Sequence, residues 1–328
     1  MKNGFWRYSF NLLRATVFIL VFIALTSFGW NFFPRFNQKQ ADFHQTSENL
    51  KATVRHLSED IGVRNYVSFD HLEKAAQYIE SSFVKVGYSV ESWNYVADGQ
   101  TFRNIVAKYK NNDSEDYILI GAHYDSCFTP GADDNASGVA GLLELARSLK
   151  SVPLKSNILF VAFTNEEPPF FRTPLMGSRV FVSAAQKKHI NIRGAVILEM
   201  IGFYSDKWFS QRYLPLLGPF YPNKGDFITL VGNFKSRHLV NAVQNDFNKQ
   251  KYVLAESIVA PDEIPGINFS DHASFWAVGI PAIMITDTAF LRNVSYHRSA
   301  DTIDKIDFGK MAAVVESLKS AVVNLTER

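Results

Sequence analysis

The sequence predicts an α/β fold, with one mixed, mostly parallel sheet covered by helices on both faces. Three observations carry this. Apolar runs of strand length alternate with stretches of helical period from about residue 47 onward. Acidic residues and histidines stand at the ends of several of those runs, where ligands bind in parallel sheets. No internal repeat, low-complexity segment or linker divides the chain into two large domains.

The first segment is of a different material. Lys2, Arg7 and Arg14 precede an uncharged apolar stretch at 15–34, and Arg35 and Lys39 follow it. About 20 apolar residues suffice to cross a bilayer as a helix. Trp30 stands near the outer end, where an interfacial aromatic belongs. Residues 1–36 therefore read as a transmembrane signal anchor, the alternative being a signal peptide that is cleaved to release a secreted protein. The cationic start places the N-terminus inside and the main body on the periplasmic or extracellular side. Residues 37–46 read as a short polar stalk, and 47–328 as a single domain.

Within that domain a helix begins near Ser47, with Leu50, Val54 and Leu57 on one face. A second covers 69–86 through Ala75, Ile79, Phe83 and Val86, and stops before Gly87. Strands follow at 88–95, 104–109 and 117–122, the last ending at His123. A helix at 138–149 leads to a strand at 158–163, just before Glu166 and Glu167. After a helix at 176–186 comes a strand at 194–200 that contains Glu199. A strand at 226–231, a helix at 237–247, a strand at 280–286 and a helix at 310–324 complete the order.

Composition narrows the function. The 328 residues are 47% hydrophobic and 14% aromatic, ample for a full-sized core. A formal charge of +2 with no basic run gives no sign of a nucleic-acid partner. The single cysteine, Cys127, excludes a disulfide framework and a zinc site made of thiolates within one chain.

Imidazole nitrogens and carboxylate oxygens remain as donors, and these bind zinc. In the extended His123-Tyr124-Asp125, histidine and aspartate face the same way, so the carboxylate can orient a metal-bound imidazole. A loop histidine followed by a capping Asp is the other reading. Asp133-Asp134-Asn135 follows a Pro-Gly turn and precedes a helix, and three such residues exceed what capping needs. Glu166 and Glu167 point differently, so one can bind metal while its neighbour faces the attacking water. Glu199 interrupts the apolar run AVILEMIGF, a costly place for an unpaired carboxylate. One histidine of Asp271-His272 or Tyr296-His297 can complete a second metal end.

The ordered set GAHYDS, PGADDNASG, TNEE, LEMIG, FSDHASFW and YHRSADT resembles the co-catalytic dizinc aminopeptidases, relatives of glutamate carboxypeptidase and glutaminyl cyclase. The resemblance covers roughly 54–323 and implies a three-layer α/β/α domain around an eight-stranded sheet. It implies two Zn²⁺ per chain, one held by His123 and Glu199 and the other by Glu167 and His297. Asp134 would bridge them, Asp125 would orient His123, and Glu166 would be the general base. His272 is not a ligand on this pattern.

The expected function is a membrane-tethered aminopeptidase that hydrolyses the N-terminal bond of peptides. The alternatives are another zinc amidohydrolase on the same fold, carboxypeptidase or glutaminyl-cyclase-like, or a non-catalytic relative. Loops at 168–175, 203–226 and 287–294 carry aromatic residues. Phe203, Tyr204, Tyr221 and Phe290, with Tyr296, either line a pocket for apolar N-terminal side chains or pack as ordinary loop residues.

Overall fold

The computed structural model describes residues 38–213 and 217–327. The segment at 15–34 lies outside them. Among the described residues no helix is long and apolar enough to cross a membrane.

Among the described residues the α-helices are α1 His44–Arg55, α2 Phe69–Val86, α3 Gly138–Leu149, α4 Gly177–Lys187, α5 Arg237–Gln250, α6 His272–Trp276 and α7 Phe308–Thr326. The eight strands are β1 Ser89–Ala97, β2 Gln100–Tyr109, β3 Asp116–His123, β4 Asn157–Phe163, β5 Asn191–Leu198, β6 Phe227–Gly232, β7 Leu254–Val259 and β8 Ala282–Thr286. They form one sheet in the order β1-β2-β4-β3-β5-β8-β6-β7. The centre, β4-β3-β5-β8, is parallel. β1 and β2 join it antiparallel, and β6 runs antiparallel to β8 but parallel to β7.

The central strands are continuous apolar runs because both faces are covered. Alternate residues of β4 divide between two cores: Ile158, Phe160 and Ala162 face one, Leu159, Val161 and Phe163 the other. The first core takes the buried faces of α1, α2, α3, α5 and α7, and the second those of α4 and α6. This is the three-layer arrangement.

Local signals explain most element ends. Gly87 closes α2 in the left-handed region at φ 91°, where its N–H bonds Val84 O and the next N–H bonds Phe83 O. Two expectations need correction. The first helix starts at His44, inside the segment read as a stalk, and Phe43 packs edge-on against Tyr252 at 4.8 Å. That contact, invisible to local periodicity, ties the stretch to the domain. The strand β7 was missed because LAESIV sits at the sheet edge with its side chains only half-buried, which blurs the apolar pattern.

The described residues within 205–226 cluster together. Ser205 pairs with Gly225, Tyr213 stacks on Tyr221 at 5.7 Å, and Lys224 lies over the Trp208 ring.

Candidate metal centre

Parallel strands deliver their carboxyl ends to one edge of the sheet. β3 ends at His123, β4 runs into Glu166 and Glu167, and β5 into Glu199. The ring of His123 is fully buried. Its Nε2 lies 3.3 Å from Glu199 Oε2, 3.4 Å from Asp134 Oδ1 and 4.0 Å from Glu166 Oε2. Its Nδ1 faces Asp125 Oδ1 at 3.4 Å. His297 arrives from the loop after β8, with Nε2 3.1 Å from Asp134 Oδ2 and 3.3 Å from Glu167 Oε2. The two oxygens of Asp134 thus face two different histidines. Among the described residues one donor group is His123, Asp134 and Glu199, and the other is Glu167, His297 and Cys127. The single thiol, set aside as a donor on composition, stands in the second group.

The aspartate pair is divided by the turn that carries it. Gly131 takes a left-handed φ of 60°, and a Cβ there would lie 2.3 Å from Asp134 O. Asp133 turns away from both histidines. Its Oδ1 accepts from Gly202 N at 3.0 Å, and its Oδ2 from Asn293 Nδ2 at 2.8 Å. Asp301 accepts both backbone N–H groups of the pair, at 2.9 and 3.0 Å. Asn135 bonds Leu198 O and the N–H groups of Gly138 and Met200, fastening α3 to the end of β5.

Two supporting groups act on whole loops. Asp125 accepts from the backbone N–H of Glu166 at 3.1 Å and of Glu167 at 3.0 Å, besides facing His123. It therefore sets the turn after β4 as well as the imidazole. Arg64 went unnoticed in the sequence. It is fully buried and donates to Tyr124 O at 2.8 Å, Pro130 O at 2.6 Å and Gly131 O at 2.9 Å. A lone arginine after a helix gives no local signal of such a role.

Electrostatics fit a cation. Four buried carboxylates, Asp134, Glu166, Glu167 and Glu199, surround two imidazoles. Burial lowers the His123 imidazolium, but Glu199, Asp125 and Asp134 outweigh it and hold it well above 6.5. Burial likewise opposes charge on His297, yet Asp134 and Cys127 push it up to about 10. Burial would raise Asp134, but the two histidines carry it below the ordinary carboxylate range. Glu166 and Glu167 are held well above 4.5, by burial first and then by neighbouring carboxylates. Both His123 nitrogens, Asp134 Oδ2 and Glu167 Oε1 lack hydrogen-bond partners. Buried polar atoms without partners, on residues of zinc-binding type, fit zinc.

The remaining predicted residues divide. Phe290 and Tyr296 belong to an aromatic series that runs to the site: Phe171, Phe269, Phe290 and Tyr296 follow one another at 5.9–6.3 Å, and Tyr296 stacks on His297 at 3.8 Å. The structure does not bring Tyr204 into this series. It packs against the larger core with its hydroxyl on Ile201 O. Phe203 is fixed through its backbone by Asp287 and Arg292, and Tyr221 belongs to the cluster within 205–226. His272 is buried against Trp276, with Nε2 on Ile267 O at 2.7 Å, outside both donor groups. Burial lowers its pKa to about 4. Asp271 beside it is buried, and neither carboxylate oxygen has a hydrogen-bond partner.

The family model described as Peptidase family M28 matches residues 104–322. The chain is similar to the uncharacterized protein YfbL of Escherichia coli (strain K12), 42% identical over 291 residues, 86% of this chain and 89% of that protein. It is similar to the aminopeptidase YwaD of Bacillus subtilis (strain 168), 44% identical over 123 residues, 36% of this chain and 26% of that one. Its fold is like that of the Bacteroides thetaiotaomicron glutaminyl cyclase bound to N-acetylhistamine, with a TM-score of 0.66 at 19% identity, covering 88% of this chain and 99% of that one.

Proposed function

The chain belongs to peptidase family M28, and from that premise we propose that it is an aminopeptidase that uses two zinc ions to hydrolyse the N-terminal bond of peptides. The observation that carries the reading is the carboxylate of Asp134, with one oxygen toward His123 and the other toward His297. His123 and Glu199 would hold one ion, Glu167 and His297 the other, with Asp134 shared. Bound there, zinc would polarise a peptide carbonyl and lower the pKa of a water so that it can be deprotonated for attack.

The protein's own groups do the rest. Glu166, 4.0 Å from His123 Nε2, takes the proton of the attacking water and hands it to the leaving nitrogen. Burial, ahead of the neighbouring carboxylates, holds its carboxyl pKa above the ordinary range. Asp125 keeps Glu166 in place through the backbone. A free substrate amine held at one ion or at a nearby carboxylate would make the enzyme an exopeptidase. The aromatic series from Phe171 to Tyr296 supports an apolar N-terminal side chain. The apolar run at 15–34 supports attachment to the membrane, with this domain on the outer side.

The test is a hydrolysis screen of peptides with free and blocked amino termini, with metal content measured on the same sample. Cleavage of free-amine peptides only, with about two zinc per chain, is expected. One zinc with cyclisation of N-terminal glutamine would move the assignment to the cyclase reading. Cleavage of blocked peptides would move it to a carboxypeptidase or amidohydrolase.

A further inference from the structure

We propose that Cys127 is a further protein ligand at the Glu167–His297 end, so that the two metals have unlike surroundings: nitrogen and oxygen donors at one, a sulfur donor added at the other. The inference rests on the reading of the site as a two-metal centre.

Three observations support it. Donor atoms of Cys127, Glu167 and His297 all lie within 4.8 Å of one another. Donors on one zinc stand roughly 3–4 Å apart, given bonds of about 2.0–2.3 Å, so a small side-chain turn closes the group. Glu167 is only 3% exposed and its Oε1 has no hydrogen-bond partner, a buried oxygen left without a donor. The loop that carries the thiol is held rather than free. Ser126 N bonds Arg64 O at 2.9 Å, Ser126 Oγ bonds Thr129 O at 2.8 Å, and Arg64 grips the carbonyls on both sides. Cys127 has no disulfide to form within the chain.

The chemical consequence is asymmetry. A thiolate is a softer donor than carboxylate or imidazole and favours zinc, cobalt or cadmium over magnesium and manganese. With Glu167, His297 and Asp134 it brings the second end to four protein ligands, the coordination of a closed zinc site. The His123 end, with three, keeps a position for water or substrate. The ion at the Cys127 end is then the more firmly held, and the ion at the His123 end the more exchangeable.

The experiment replaces zinc by cobalt(II) in the full-length protein and records metal content with the near-ultraviolet spectrum, where a thiolate bound to cobalt gives an intense charge-transfer band. About two cobalt per chain with the band present is expected. Cys127→Ser and Cys127→Ala should abolish the band and weaken the tighter-bound ion at least about tenfold. Unfolding midpoints of the metal-free variants should match the parent, which separates lost ligation from lost folding. Two cobalt ions without the band, or a band that survives Cys127→Ser, overturns the inference and leaves the two-metal reading standing. One cobalt with a band that depends on Cys127 keeps the ligand and removes the second metal. No bound cobalt overturns both.

Discussion

Glu166 and Glu167 are adjacent in the chain and both buried, yet they face different partners. Glu167 lies against His297, while Glu166 reaches toward His123. Glu166→Gln keeps the shape and removes the proton-accepting charge. It should retain both metals and lower kcat at least about 10²-fold, the usual size of a general-base contribution. Turnover near that of the parent, with metal retained, would take Glu166 out of the role. The aspartate pair makes a second contrast. Asp134→Ala should lose zinc and activity together, because one carboxylate faces both histidines. Asp133→Ala should keep the zinc but lower stability by about 1–3 kcal/mol, since Gly202 N–H and Asn293 Nδ2 lose their acceptor. Elemental analysis and chemical denaturation of both variants decide the matter. If the Asp133 variant is the one that empties the site, the bridge is misplaced by one residue.

At the scale of elements, the site is a set of loop ends held by buried polar groups. Asp125 joins the end of β3 to the turn after β4, Asn135 joins the start of α3 to the end of β5, and Arg64 grips the loop between β3 and α3. Such ties are needed because a carboxylate cluster repels itself and would otherwise open. Arg64→Met preserves the apolar stem and removes donors to the carbonyls of Tyr124, Pro130 and Gly131. It should cost about 1–3 kcal/mol for each carbonyl left buried without a donor. A urea midpoint within experimental error of the parent's would show that water replaces the guanidinium without loss. The helices and strands themselves were largely legible, because apolar period and glycine punctuation report them locally. The edge strand β7 and the five-residue α6 were not: one is half-solvated, the other shorter than two helical turns.

On the scale of the whole molecule, the described residues from Gln38 onward carry both cores and both donor groups. Residues 38–43 belong with the domain, since Lys39 N bonds Lys251 O at 2.8 Å and Phe43 packs on Tyr252. A truncation should therefore begin at Gln38 rather than beyond residue 40. It is expected to give a soluble, zinc-binding enzyme with kcat/KM like that of the full chain. The full chain should fractionate with membranes, and protease added outside intact cells should digest its catalytic domain. Protection until the membrane is broken would reverse the proposed orientation. Full-length chain in the soluble fraction would remove the anchor.

The sequence by itself determined the alternation of strands and helices, the mixed, mostly parallel sheet and the kinds of donor at its carboxyl edge. Those are properties of local period, composition and short motifs, which a chain displays without being folded. Motif order also sufficed to suggest which histidines and carboxylates belong together. Only the tertiary structure decided which oxygen of Asp134 meets which histidine, that Asp133 turns away, that Arg64 holds the loop and that Cys127 stands beside Glu167 and His297. The physical reason is separation along the chain. His123 and His297 are brought to opposite oxygens of one carboxylate by a sheet whose register no single segment encodes. A lone arginine or cysteine acquires its meaning only from the neighbours that register supplies.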